Sequence, residues 1–272
     1  MANASIRSPA VAGAFYPADP RALSSMIGDM LNGSVPVETV HWPKVVIVPH
    51  AGYVYSGPIA AAAYQTLRGA APFYRRVVML GPAHRKAFDG FALPASQWFA
   101  TPLGDVAVDR GSWQTLQAQP DIVVDEAAHA LEHSLEVQLP FLQSVLEHIT
   151  IVPLLVGNTT PERVAQVLEM LWGQDDTLIL ISSDLSHYLP YHQARWRDRS
   201  TVEEILQLQP KLGFDQACGA LAVNGVLIAA QRRHLKPALL DHRNSGDTAG
   251  DRNRVVGYTS IAFTEERPHV AH

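Results

Sequence analysis

Short, unbroken runs of Val, Ile and Leu alternate along this chain with longer stretches of helical character. The runs are "KVVIVPH" (44–50), "RRVVMLGPAH" (75–84), "ITIVPLLVGN" (149–158), "DTLILISSDLSH" (176–187) and "RVVGYTSIAF" (254–263). Continuous apolar runs of this length, rich in β-branched residues, are the mark of strands covered on both faces. "DGFALP" (89–94) and "GDVAVD" (104–109) predict two shorter strands, the second with hairpin-like alternation.

Helical segments separate them. "GPIAAAAYQTLRG" (57–69) is favoured by its alanines and lack of internal breakers. "TPERVAQVLEMLWG" (160–173) opens with Thr160 as N-cap and Pro161 at the first helical position. Residues 192–207 and 214–233 predict two more helices. Leu131, Leu135, Leu139, Leu142 and Leu146 recur at spacings of three and four, which predicts an amphipathic helix kinked at Pro140. "LLDHRNSGDTAGDRNR" (239–254) predicts a long loop before the last strand, and loops of that length are usually functional. The pattern predicts an α/β fold: a single domain over residues 1–272, with a mostly parallel central sheet and helices on both faces.

Composition narrows the function. The chain of 272 residues is 47% hydrophobic and 17% charged with a net charge of -5, ordinary for a globular core and without a basic footprint for nucleic acid. The N-terminal stretch has no apolar h-region, and no run reaches the length of a membrane span. One cysteine, Cys218, forms no intrachain disulfide and fits a reducing compartment. We therefore expect a cytoplasmic protein that binds neither nucleic acid nor membrane.

The chemistry gathers at strand ends. "VVIVPH" delivers His50, "VVMLGPAH" delivers His84, and "LILISSDLSH" delivers Asp184 and His187. A single histidine past a strand is ordinarily a loop residue. Several strands ending alike predict one crevice at the carboxyl edge of the sheet, where open α/β sheets bind ligands. Cys218 lies near the start of an apolar helix, whose dipole favours a thiolate that would serve as metal ligand or nucleophile. Two imidazoles and one anionic donor leave the open positions a catalytic metal needs. His133 and Glu136, three apart, are predicted to share one helix face. Tyr53 and Tyr55, beside His50, are candidate pocket walls. Neither a dinucleotide GxGxxG nor a Walker-type GK[ST] is present.

Together "RSPAVAGAFYPADP", "VPHAGYVYSG", "GPAH", "EHSLEVQLPFL", "SSDLSHY", "ACG" and "NSGDTAGDRNRVVGY" closely resemble the Memo family, whose prokaryotic members are called AmmeMemoRadiSam system protein B. The resemblance implies a fold shared with class III extradiol ring-cleaving dioxygenases, which hold non-haem Fe(II) by two histidines and a carboxylate. It implies His50, His84 and Cys218 as metal ligands, with His187 as acid/base, Asp184 beside it and His133 contacting substrate. Glu136, Tyr53 and Tyr55 are expected at the substrate. A thiolate in place of the carboxylate is softer, so copper or zinc stand beside Fe(II) as candidate cofactors.

Three functions follow as expectations. The first is a dioxygenase acting on a small aromatic, catechol-like substrate with O2, in which His187 moves the hydroxyl proton; an ordinary imidazole pKa of about 6.5 suits such a role. The second is a non-enzymatic peptide- or partner-binding module with a vestigial metal site, for which Arg243, Arg252 and Arg254 are the candidate phosphate contacts. The third is a hydrolase that uses Cys218 or a metal-activated water.

Overall fold

The structure, a computed structural model, describes residues 5–35, 40, 42–70 and 72–265; residues 1–4 and 266–272 of the predicted domain lie outside them. The N-terminal half contains β1 (Ile6–Arg7), α1 (Pro20–Gly33), β2 (Val45–Val48), α2 (Tyr53–Gln65), β3 (Arg76–Pro82), β4 (Phe91–Leu93), β5 (Trp98–Thr101) and β6 (Gly104–Val108). Next come α3 (Trp113–Gln117), β7 (Ile122–Val124), α4 (Glu126–Ala130), α5 (Leu139–Val145), β8 (Thr150–Val156) and α6 (Pro161–Leu171). The chain continues through β9 (Thr177–Ser182), β10 (His187–Leu189), α7 (Tyr191–Leu206), α8 (Ala220–Arg232), β11 (Lys236–Asn244) and β12 (Val255–Thr264).

Among the described residues one sheet of 12 strands organises these elements, in the order β1-β5-β6-β8-β3-β9-β2-β12-β10, with β11 on β12 and β4 joining β7 to β8. Its centre, β6-β8-β3-β9-β2, is parallel. The additions at its margins, β5 on β6 and β12 on β2, are antiparallel. Every residue of β2 and β9 is buried, so both faces of the sheet are covered there. α1 packs on α2 and α5, and α2 lies on β2, β11 and β12. α6 packs on α8, which lies on β3 and β9, while α7 packs on β10, β11 and β12. No helix among the described residues is long and apolar enough to cross a membrane.

Two expectations are corrected. The leucine-spaced segment is not one kinked helix. Residues 131–135 are turns, Glu136–Gln138 is a single 3₁₀ turn, and α5 begins only at Leu139, with Pro140 in its first turn. Leu131 is 67% exposed, so the apolar stripe never forms on its first turn. Proline marks a helix start here, where its missing N–H costs nothing. The predicted loop 239–254 begins as strand: its residues up to Asn244 belong to β11, paired antiparallel with β12. α6 and α7 keep close to their predicted bounds, and the Thr160 hydroxyl accepts from the Arg163 N–H; α2 already begins at Tyr53 and ends at Gln65, and α8 begins only at Ala220, so Cys218 lies ahead of the helix and not in it.

The sheet positions the site. β2, β9 and β3 are adjacent and parallel, and Val48 pairs with Ser182 while Leu80 pairs with Ile181. Their carboxyl ends therefore finish side by side, delivering His50, Asp184 and His84 to one edge. Gly81 lets the 134–135 segment press onto β3: a Cβ there would lie 2.8 Å from Leu135 Cδ2 and 3.0 Å from Ser134 Oγ. Gly81→Ala is expected to destabilise the fold by about 1–3 kcal/mol, the usual cost of overpacking. Urea denaturation measures this, and an unchanged midpoint would show that the 134–135 segment yields freely.

Candidate metal centre

His50, His84 and His133 bring one ligand atom each to within 4.8 Å of one another. The first two come from the ends of β2 and β3, and the third from the turn before the 3₁₀ segment. The His84 and His133 rings stack at 4.9 Å between centroids, and His50 meets His84 nearly edge-on at 5.2 Å.

Hydrogen bonds from behind fix two of the tautomers. The Ser182 hydroxyl donates to Ser134 O at 2.6 Å. Its oxygen is thus left to accept, from Gln138 Nε2 and from His50 Nδ1 at 2.9 Å. His50 therefore carries its proton on Nδ1 and keeps the Nε2 lone pair free. Glu132 does the same for His84: its Oε1 takes the Nδ1–H at 3.0 Å, and its Oε2 takes the His84 backbone N–H. Glu132 also accepts the N–H groups of His133 and Ser134, each at 2.9 Å. Burial alone would raise the Glu132 pKa, but the hydrogen bonds from His84 and these backbone donors hold it well below the usual carboxylate range. Carboxylate–imidazole pairs of this kind orient metal-ligating histidines.

Burial, with the neighbouring His84, lowers the His50 pKa to about 3. Burial and His50 lower His133 to about 4. Both imidazoles are neutral near pH 7, the form that ligates a cation. His133 Nδ1 is buried without a hydrogen-bond partner, although it stands 3.3 Å from Glu132 Oε1. An orphaned polar atom on one of three neighbouring imidazoles fits a site made for a ligand.

Cys218 stands at the His50 corner, with Sγ 3.4 Å from His50 Nε2. It precedes α8, whose N-cap is Gly219, and Sγ accepts from the Asp184 N–H at 3.3 Å. The third member of the mutually close set is thus His133, where the resemblance implies Cys218. The thiolate expected from the helix dipole is also opposed: burial and then Asp184 push the thiol up to about 12. A bound cation would reverse that.

The cluster lies in a cleft of about 730 Å³ whose lining includes Phe15, Tyr55, Asp184, His187 and Tyr188. Asp184 is buried, its Oδ1 accepts the His50 N–H at 2.7 Å, and burial raises its pKa. His187 opens β10 on the cleft wall. Tyr55 faces the cleft as expected, but Tyr53 does not: it is 2% exposed and its hydroxyl donates to Val137 O. Glu136 is likewise withdrawn from substrate. It is 1% exposed and fully occupied by Arg7, the Ala10 and Val11 N–H groups and the Tyr16 hydroxyl. Of the loop arginines, Arg243 pairs with Asp241 and Arg252 lies over Tyr191, leaving Arg254 at the cleft. Glu132, Ser182 and Phe15 have no sequence signal that marks them, because the histidines they meet, His84, His50 and His133, are distant in sequence.

Fold and site define a mixed α/β protein with a candidate three-histidine metal centre at the carboxyl edge of its sheet. The profile of the family described as Memo-like protein matches residues 7–262, and the chain belongs to that family. A MEMO1 family protein of Sulfolobus acidocaldarius is 38% identical, covering 95% of this chain and 99% of its own. One from Aquifex aeolicus is 36% identical with the same coverage of 95% and 99%. A solved structure of an uncharacterized Escherichia coli K12 protein, JW3007, is 13% identical, covers 80% of this chain and 98% of its own, and has a TM-score of 0.48.

Proposed function

We infer that the protein is a metal-dependent oxidoreductase, most concretely a non-haem Fe(II) dioxygenase that cleaves a catechol-like aromatic with O2. The meeting of three imidazoles at one point of an open cleft carries this reading. Imidazole suits iron, copper and zinc, so the donor set fits a first-row divalent cation, and Cys218 stands beside it as a fourth donor that draws the set toward copper or zinc. Bound Fe(II) would supply electron transfer between a chelated substrate and O2. Three or four protein donors leave positions for substrate oxygens.

The chain's own residues do the rest. His187 accepts a hydroxyl proton from the substrate and returns it after ring opening, a general acid/base role. Asp184 anchors His50 through its backbone N–H and faces the same space. Phe15 and Tyr55 supply flat walls for a ring. The Cys–His hydrolase has less to stand on. The thiol is pushed up to about 12 and the imidazole it meets is lowered to about 3, so neither favours a thiolate.

Elemental analysis after anaerobic purification tests the reading. Wild type is expected to carry near-stoichiometric iron and to consume O2 with catechols, and His84→Ala to lose the metal. A wild type that binds no metal after anaerobic Fe(II) loading would overturn the proposal.

A further inference from the structure

Beside the histidine cleft lies a second space of a different character. It measures about 460 Å³, within the ~300–1,000 Å³ range of small-molecule sites. Pro82, Phe88, Val156, Phe214, Leu221 and Ala222 give it an apolar wall. The polar side chains on that wall are engaged elsewhere. Lys86 Nζ pairs with Asp125 at 2.5 Å, and the Asn158 amide donates to Asp89 Oδ1 at 2.9 Å. No carboxylate lines the pocket among the described residues. An anion would meet a cation already paired, and an ammonium no counter-ion at all, whereas a hydrocarbon loses only its contact with water.

The pocket is built into the fold. On one side residues 88–90 are bonded to the end of β8: the Asn158 N–H donates to Phe88 O at 2.8 Å and the Gly157 N–H to Gly90 O at 2.9 Å. Gly157 permits this approach, since a Cβ there would lie 2.3 Å from Phe88 O. On the other side the start of α8 is pinned beside β9, where the Gly219 N–H donates to Ser183 Oγ at 2.9 Å. Phe214 lines the pocket while 68% exposed, so the space opens to solvent there.

His84 and Cys218 complete the lining, and His84 also lines the histidine cleft. The two spaces therefore meet at one of the three imidazoles of the candidate centre, and of the two it is the apolar one that Cys218 lines. We propose that this pocket is a second compartment of the site and takes an uncharged alkyl or alkenyl chain, carried by the ligand whose polar end lies in the cleft. The inference rests on the reading of the cleft as the substrate site and adds an apolar arm to that substrate. Chain and polar end lie to either side of His84, so lengthening the chain buries more apolar surface without moving the end at the centre.

The test uses the full chain, stripped of metal by chelation and reloaded with zinc, which is redox-inert and spares a catechol probe. Titration calorimetry compares catechol with its 4-methyl, 4-butyl and 4-hexyl derivatives. In wild type the 4-hexyl compound is expected to bind at least about tenfold tighter than the 4-methyl one, as successive methylenes leave water. That ratio is expected to fall to within about twofold of one in two variants. Ala87→Trp fills the pocket from an exposed position, and Phe214→Gln removes its exposed aromatic wall. A flat series in wild type would overturn the inference. So would a ratio that survives both variants, which would place the chain among the aromatic walls of the cleft. Binding of 1-hexanol to the metal-free chain, followed by saturation-transfer NMR, separates the inference from the function proposed above. It is expected in wild type and lost in both variants, and its absence from wild type would overturn the inference. Hexanol in the pocket with no binding of any catechol removes the oxidoreductase and leaves the apolar site. Catechol binding with O2 uptake by the iron-loaded protein, but no gain from any chain, does the opposite.

Discussion

Glu136→Ala is expected to destabilise the fold by about 3–5 kcal/mol, the cost of leaving a buried charge without its partner. Glu136 and Arg7 meet at 2.8 Å with side chains no more than 3% exposed. Removing the carboxylate strands the guanidinium and also orphans the Ala10 and Val11 N–H groups and the Tyr16 hydroxyl. Arg7 also donates to His129 O at 2.8 Å and Glu132 O at 2.6 Å, so the pair ties the N-terminal segment to the turn that carries Glu132 and His133. Metal affinity should fall with stability for that reason. A paired replacement, Arg7→Met with Glu136→Leu, removes both charges together and is expected to cost less than the sum of the single changes. Urea denaturation of the four proteins gives the cycle. A single-variant loss below about 1 kcal/mol would mean that water reaches the pair, as it does for surface ion pairs.

The same pair explains where the sequence misleads. Leucines at helical spacing say which residues are apolar, not whether the backbone between them is helical. From 131 to 138 the backbone follows Arg7 and His84, partners more than forty positions away, whose bonds to Glu132 and Glu136 need a turn. Glu136 reads as a substrate-facing acid beside His133 for the same reason, since its partner Arg7 lies 129 positions upstream. β11 was illegible in another way. It pairs with β12 alone and is only half-buried, so its side chains carry polar residues no strand pattern would flag.

The strand ends were legible because their cause is local. β2 and the middles of β3 and β9 are apolar because they sit between two helical layers, so the polar residues where the runs end mark the sheet edge. That argument finds His50, His84 and Asp184 and correctly converges them. It cannot rank His133 against Cys218, because neither follows a strand; only three-dimensional proximity brings His133 into the triad and leaves Cys218 at its corner.

Glu132→Gln is expected to weaken metal binding by about 10–100-fold while the fold persists, the usual effect of losing a carboxylate behind a ligating histidine. The amide is close to isosteric, so its oxygen can still accept from the backbone N–H groups of His133 and Ser134. That oxygen, in the place of Oε1, also keeps the His84 Nδ1–H, but the NH2 takes the place of Oε2 and faces the His84 backbone N–H, itself a donor. The clash pushes the His84 backbone away and carries its ring off the centre, and a neutral amide behind Nδ1 makes the imidazole a weaker donor to a cation than a carboxylate does. His50 is untouched, because its tautomer is set by Ser182. The variant should therefore keep part of the site and lose the His84 corner, approaching His84→Ala in metal affinity without matching it. Competition titration of zinc against a chelating dye measures the three proteins on one scale. The reading is sunk if Glu132→Gln binds zinc as tightly as wild type, since that outcome would mean the carboxylate serves the backbone turn and not the His84 ring.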